Sequence, residues 1–130
     1  MDAPTAEIRP PGVRTATEIA ETYLEAIRSK DPLKALLAPG VIWQSPLTSH
    51  QVKGRDEVIN YIRSLAPGMD GVKLERHMTG GEYVATLWQA ETVWGEIPIC
   101  TVFRIADGLI QEVRSFWDPR PILPPTEQRR

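Results

Sequence analysis

Two polar side chains, Gln89 and Glu91, interrupt the alternating stretch "LWQAETVW" that runs from Leu87 to Trp94. In a β-strand, successive side chains point to opposite faces, so Leu87, Gln89 and Glu91 would share one face. If that face is solvated, the two polar residues carry no information about function. If it lines an apolar interior, Glu91 is suited to general acid or base chemistry, and Gln89 could orient it or a substrate oxygen. The alternation alone leaves both interpretations open.

An arginine on the preceding predicted strand could join such a site. Arg76 and His77 are neighbours in the sequence, so only one of them can face inward. The apolar residues that share the parity of Arg76 are Val72, Leu74 and Met78. This parity predicts that Arg76 points inward, where its guanidinium could bind a substrate carboxylate or pair with Glu91.

Three other residues are candidates because of their type and place. His50 lies in a polar loop after a short predicted strand, and an imidazole is suited to proton transfer near neutral pH. Trp43 and Trp117 are large, mainly apolar side chains, and we expect them to form walls of any interior cavity.

Composition narrows the classes of function. The chain has 130 residues, of which 42% are hydrophobic, as expected for one globular domain with its own core. A net charge of −2 provides no basic surface for nucleic acid. One cysteine, Cys100, and two histidines exclude an internal disulfide and argue against a metal site, so we expect no metal and no cofactor. The start "MDAPTAEIRPPG" does not resemble a signal segment and no apolar run suits a membrane helix, which predicts a soluble cytoplasmic protein without membrane contact.

The first half of the chain is predicted to be mainly helical, with one short strand. Thr15 and Glu18 form a capping-box pattern ahead of "ATEIAETYLEAIRSK". Asp31-Pro32 predicts the start of a short helix "PLKALLA" that ends at Pro39-Gly40, and "VIWQ" predicts a short strand. A further helix is predicted over "GRDEVINYIRSLAPG". Proline-rich ends predict an irregular arm at residues 1–14 and a tail at 124–130, around a domain at 15–123.

From Gly68 onward the periodicity changes from about four residues to two. Four strands are predicted, at Val72 to Met78, Tyr83 to Val93, Ile97 to Ile105 and Leu109 to Trp117, separated by "TGG", a turn around Gly95 and "ADG". Helices followed by an antiparallel meander indicate an α+β fold in which the helices cover one face of a curved sheet.

Three segments resemble the SnoaL-like branch of the nuclear transport factor two-like superfamily. They are "ETYLEAIRSKDPLKALLAPGVIW", "KGRDEVINYI" and "FRIADGLIQEVRSFWDP". The resemblance implies a cone-shaped, cystatin-like α+β barrel with a hydrophobic pocket between the helices and the concave sheet face. It also implies that Leu87, Gln89 and Glu91 face this pocket. Trp88, Ala90 and Trp94 would then lie on the convex face and form the contact of a homodimer.

Relatives within the superfamily suggest roles for individual residues. In an alignment with limonene epoxide hydrolases, Gln89 stands at the catalytic arginine, Glu91 and Ser115 at the two aspartates, and Gln44 at an asparagine. Tyr23 matches the helix-one tyrosine of ketosteroid isomerases, while Ser45 and Thr101 stand at their acids. In polyketide cyclases of the SnoaL type the acid lies on the last strand, where this chain offers Ser115 and, just beyond the strand, Asp118.

These observations predict an enzyme that needs no cofactor and transfers protons during cyclisation, isomerisation or dehydration of an apolar, oxygenated substrate. The predicted catalytic residues are Glu91, Asp118, His50 and Tyr23, and the predicted substrate-binding residues are Gln44, Gln89, Trp43, Arg76, Thr101, Ser115 and Trp117. Two alternatives stay open: a non-catalytic module that binds a ligand or only dimerises, and an epoxide hydrolase whose catalytic triad is degraded.

Overall fold

The computed structural model describes residues 14–48 and 50–122. Apart from Arg14, the predicted terminal arms lie outside these ranges. The helices are α1 (Ala16–Ser29) and α2 (Arg55–Leu65), and 3₁₀ turns cover Pro32–Lys34, Ala66–Gly68 and Arg120–Ile122. The strands are β1 (Leu37–Gln44), β2 (Val52–Lys53), β3 (Met69–Gly80), β4 (Tyr83–Thr92), β5 (Gly95–Ala106) and β6 (Leu109–Phe116). Neither of these two helices is long and apolar enough to cross a membrane.

One six-stranded sheet organises the described residues, in the order β2-β1-β6-β5-β4-β3. Its neighbouring strands are antiparallel except for β1 and β6, which are parallel. Both helices pack their buried sides against the same core as the inner sheet face. The predicted α+β fold, with helices against a curved meander, is confirmed.

Local signals explain where α1 begins and ends. The Thr15 hydroxyl accepts a hydrogen bond from the Glu18 amide, and the Glu18 carboxylate accepts one from the Thr15 amide, at 3.2 and 2.8 Å. This reciprocal pair satisfies two amides that the helix itself leaves unpaired. The helix ends at Lys30, which adopts a left-handed conformation with φ of 61°. The predicted helix start at Thr15 is therefore confirmed.

The predicted helix "PLKALLA" is wrong. Only Pro32–Lys34 forms a turn of 3₁₀ helix, and β1 already begins at Leu37. Pro39 and Gly40 lie inside β1, where the pairing with β6 shifts register between Leu37 and Ile42. Proline and glycine weaken a regular ladder but are tolerated at such an irregularity.

A β-bulge in β3 reverses the predicted direction of Arg76. Leu74 lies opposite Trp88, but Arg76 lies opposite Leu87, so Glu75 is an extra residue in β3. The extra residue exchanges inward and outward positions beyond it, which places Arg76 on the outer face with Leu87. The expectation that Arg76 points inward was wrong, because the regular alternation counted from Val72 is interrupted by the bulge between Leu74 and Arg76.

His77 takes the inward position beyond the bulge. Its Nδ1 lies 2.8 Å from the Thr86 hydroxyl and its Nε2 lies 2.7 Å from the Glu21 carboxylate. These contacts join β3, β4 and α1. His77 therefore helps to fix α1 across the sheet.

Candidate functional site

The inner face of β4 carries its tryptophan and not its carboxylate. Trp88 and Ala90 are 3% and 1% exposed, whereas Glu91 lies on the outer face with its carboxylate 3.6 Å from the Lys73 ammonium. Gln89 is also outside and donates a 2.9 Å hydrogen bond to Glu75. The predicted orientation of this strand was wrong. Burying the Trp88 indole removes a large apolar surface from water, and burying Glu91 would instead have cost the desolvation of a charge.

A cavity of about 280 Å³ lies between the helices and the inner sheet face. Its wall is mainly apolar and includes Trp43, Ile62, Met69, Trp88, Ile97 and Ile99. All four tryptophans of the chain contribute to this wall, since Trp94 and Trp117 also line it. The volume is close to the lower end of the range for ligand pockets, about 300–1,000 Å³.

Tyr23 brings a buried hydroxyl to the cavity wall. Trp43 Nε1 donates a hydrogen bond of 2.9 Å to the Tyr23 hydroxyl oxygen. Burial raises the pKa of Tyr23 to about 12, an effect that the hydrogen bond from Trp43 partly offsets. Tyr23 therefore keeps its proton near neutral pH. Because the oxygen accepts from Trp43, the hydroxyl proton is left to be donated to another acceptor.

A second hydroxyl, that of Ser115, belongs to a chain of buried hydrogen bonds beside the cavity. Trp88 Nε1 donates to the Thr101 hydroxyl at 2.9 Å, and the Thr101 and Ser115 hydroxyl oxygens are 2.9 Å apart. Thr101 is completely buried behind the wall, whereas Ser115 lines the cavity. If Thr101 donates to Ser115, the Ser115 hydroxyl can donate into the cavity.

The titratable side chains of the wall are few. Among the described residues that line the cavity, only Tyr23, Lys30 and Arg63 have ionisable side chains, and there is no carboxylate or imidazole. The part of the chain that the structure describes also has no cluster of side chains that could hold a metal ion. The arrangement can therefore enclose an apolar molecule and donate hydrogen bonds to it.

Sequence comparison identifies the family to which the chain belongs. The family model of the SnoaL-like domain matches residues 20–113, which include α2, α1 from Ala20 onward and the whole sheet except the end of β6. The chain belongs to the SnoaL-like domain family. No curated protein shows significant sequence similarity to it.

Solved structures share the fold of this SnoaL-like domain at low sequence identity. A nuclear transport factor two-like protein of unknown function from Cytophaga hutchinsonii has a TM-score of 0.74 and 15% identity, covering 87% of this chain and 98% of its own. A proposed SnoaL-like polyketide cyclase from Jannaschia has a TM-score of 0.70 and 19% identity, covering 89% and 94%. A proposed ketosteroid isomerase from Kribbella flavida has a TM-score of 0.68 and 23% identity, covering 85% and 82%. At these identities the likeness shows the fold alone.

Four of the predicted site residues lie at the cavity of the SnoaL-like domain. Tyr23, Trp43, Ser115 and Trp117 line it. Thr101 lies directly behind Ser115 and supports it. The structure thus brings together the hydroxyl and aromatic members of the predicted set.

The predicted acids, and most of the other polar residues, lie elsewhere. Gln44, Arg76, Gln89 and Glu91 are absent from the wall of the cavity. Gln44 alternates with the buried Trp43 along β1 and so belongs to the opposite face.

Two further residues that were expected to be catalytic lie outside the cavity. His50 borders a separate, open groove beside β2 and α2. Asp118 is exposed beyond β6, and Arg120 holds it with hydrogen bonds of 2.8 to 3.0 Å. Those hydrogen bonds from the Arg120 side chain lower the pKa of Asp118. Asp118 therefore forms an ion pair with Arg120 at the surface.

Other residues at the cavity were not among the predicted site residues. Ser45 is buried in the wall, and its hydroxyl accepts a hydrogen bond of 3.2 Å from the Leu47 amide. Lys30 and Arg63 border the cavity, each near the end of a helix. A basic residue where an amphipathic helix ends is the signal that could have drawn attention to these two cations.

Proposed function

We propose that this SnoaL-like domain binds a small, largely apolar molecule in the cavity, and that the hydroxyls of Tyr23 and Ser115 donate hydrogen bonds to an oxygen of that molecule. The observation that carries the proposal is the composition of the wall. It is apolar and aromatic, has buried hydroxyls, and has no carboxylate or imidazole among the described residues.

Binding accounts for this wall better than the proton-transfer chemistry expected from the sequence. Cyclisation, isomerisation and dehydration each need a group that accepts a proton near the reacting carbon. Glu91, the expected group, lies on the other face of the sheet. Tyr23 can polarise a carbonyl, but with its pKa raised to about 12 it does not serve as a base near neutral pH. The epoxide hydrolase alternative fails for the same reason, since Gln89 and Glu91 are both outside.

Tryptophan fluorescence provides the test, because every tryptophan of the chain lines the cavity. We would titrate the protein with 1-decalone, a bicyclic ketone, and with decalin, its hydrocarbon counterpart. Both should change the emission, and the ketone should bind about 3- to 10-fold more tightly, as one net hydrogen bond predicts. If neither compound shows saturable binding, the proposal is overturned.

Two variants test whether the hydroxyls of Tyr23 and Ser115 cause the higher affinity for the ketone. Tyr23→Phe and Ser115→Ala should each reduce the ratio of ketone to hydrocarbon affinity, since each removes one hydroxyl from the wall. Tyr83→Phe is the matched control, because Tyr83 is 48% exposed on β4 and does not line the cavity. An unchanged ratio in both cavity variants would show that the ketone oxygen does not meet these hydroxyls.

We further propose that the outer sheet face forms a homodimer contact. The surface expected for it was wrong, since Trp88 and Ala90 are buried in the core of their own chain. Leu87, Cys100 and Phe116 instead form a row across β4, β5 and β6 on the outer face, and Phe116 is 51% exposed. An apolar row on an uncovered sheet face supports self-association.

A further inference from the structure

Two cationic side chains border the otherwise apolar cavity. Lys30 follows α1 directly, and Arg63 lies in the last turn of α2. Both residues are exposed and both contribute to the cavity lining. Neither forms an ion pair with another described residue. The cavity therefore has two cations at its border that form no direct ion pair with a carboxylate in the described part of the chain.

Two acidic side chains close to Lys30 in the sequence have other contacts. Glu25 pairs with Arg28, and its carboxylate lies 3.7 Å from the Lys34 ammonium. The Asp31 carboxylate accepts a hydrogen bond from the Leu33 amide and caps the following turn. Neither of these carboxylates forms an ion pair with the Lys30 ammonium.

Helix capping does not account for Lys30. A basic residue at the end of a helix is favourable because it faces unpaired carbonyls. Here the amides of Lys30 and Asp31 already donate to the carbonyls of Ile27 and Ala26, at 3.2 and 3.0 Å. The Lys30 ammonium is thus not needed to satisfy these carbonyls.

We propose that the molecule bound in the cavity is a small organic monoanion, a carboxylate on an apolar ring system. Its apolar body would occupy the cavity, and its carboxylate would lie at the border beside Lys30 and Arg63. This inference rests on the proposed binding function and adds the charge of the ligand to it. The cavity of about 280 Å³ suits the apolar body of a bicyclic acid.

The exposure of both cations sets the size of the effect. Ion pairs at a solvated surface are weak, and salt screens them. The structure therefore predicts a several-fold preference for the anion at low salt. It also predicts that this preference declines as the ionic strength rises, while the apolar contribution persists.

The experiment compares decahydronaphthalene-2-carboxylate with its neutral methyl ester, by tryptophan fluorescence near neutral pH. At low ionic strength the carboxylate should bind about 3- to 10-fold more tightly, and the ratio should approach one in about 1 M salt, where the screening length is about 3 Å. Lys30→Gln and Arg63→Gln should each weaken carboxylate binding and leave ester binding unchanged.

Arg55→Gln is the matched control, because Arg55 is an exposed arginine at the other end of α2 and does not line the cavity. It should change neither affinity. Equal binding of acid and ester by the wild-type protein would overturn the anion inference and leave the proposed function standing. A preference for the acid that survives in the Lys30→Gln, Arg63→Gln double variant would also overturn it. Failure of both compounds to bind would overturn the proposed function itself.

Discussion

The indole Nε1 of Trp43 donates a hydrogen bond of 2.9 Å to the hydroxyl oxygen of Tyr23, and this bond joins β1 to α1 in the wall of the cavity. Both side chains are almost completely buried, at 2% exposure. The bond therefore matters for stability as well as for the chemistry of the wall.

Tyr23→Phe should destabilise the protein by about 1–3 kcal/mol, because it leaves the buried Trp43 N–H without its acceptor. Urea denaturation measures the change. Tyr83→Phe, at a half-exposed position, should have almost no effect. If the two variants were equally stable, the hydrogen bond would not contribute to folding.

The raised pKa of Tyr23 predicts a loss of stability at alkaline pH. Its pKa is about 12 in the folded protein and about 10 for an ordinary tyrosine. Between these values the unfolded chain releases the proton and the folded chain retains it, so stability decreases as pH rises through this window and is fully retained below it. Unfolding measured from pH 9 to 12 should therefore show a steeper decline for the wild-type protein than for Tyr23→Phe. Parallel profiles would contradict the raised pKa.

Gly68→Ala should displace Trp94 from the border of the cavity. A Cβ at Gly68 would lie 2.7 Å from Cζ3 of the Trp94 ring, which is too close for an unchanged arrangement. The ring belongs to a half-exposed side chain and can move, so we expect a stability change within about 1 kcal/mol and an altered rate of ligand entry. Stopped-flow tryptophan fluorescence with 1-decalone measures that rate. Gly80→Ala is the control, since a Cβ there meets no atom within 4 Å.

Glu91→Gln should leave ligand binding unchanged. Glu91 is on the outer face beside Lys73, and it does not line the cavity. Loss of this exposed ion pair should have little effect on stability. Titration of the variant with 1-decalone measures the affinity. An affinity markedly below that of the wild-type protein would show that β4 presents its other face to the ligand.

Leu87→Arg should prevent self-association if the outer face forms the dimer. Leu87 lies between Arg76 and Cys100 on that face, so a charge there would be buried in the contact. Light scattering at tens of micromolar would give the mass of wild-type and variant proteins. Leu33→Arg is the control, because Leu33 is 68% exposed in the turn after α1. A monomeric wild-type protein would contradict the proposed contact.

Signals that act over a few residues were enough to predict much of the fold from the sequence. The Thr15–Glu18 capping box determines where α1 begins, and the change of period at Gly68 predicts the start of the antiparallel strands. Tyr23, expected there from the family resemblance, and Trp43 and Trp117, expected there as large apolar side chains, line the cavity, while their roles remain predictions. The helix start and the change of period depend on hydrogen bonds and side-chain directions within single elements.

Only the tertiary structure decided which face of β4 is buried. A period of two shows that Trp88 and Ala90 share a face, but the face that the helices cover depends on contacts between distant parts of the chain. The direction of Arg76 needed the register between β3 and β4, because one extra residue at Glu75 reverses every position after it. The two cations of the cavity also could not be predicted from the sequence. Lys30 and Arg63 are far apart in the chain, and both line the cavity only because α1 and α2 pack against the same sheet face.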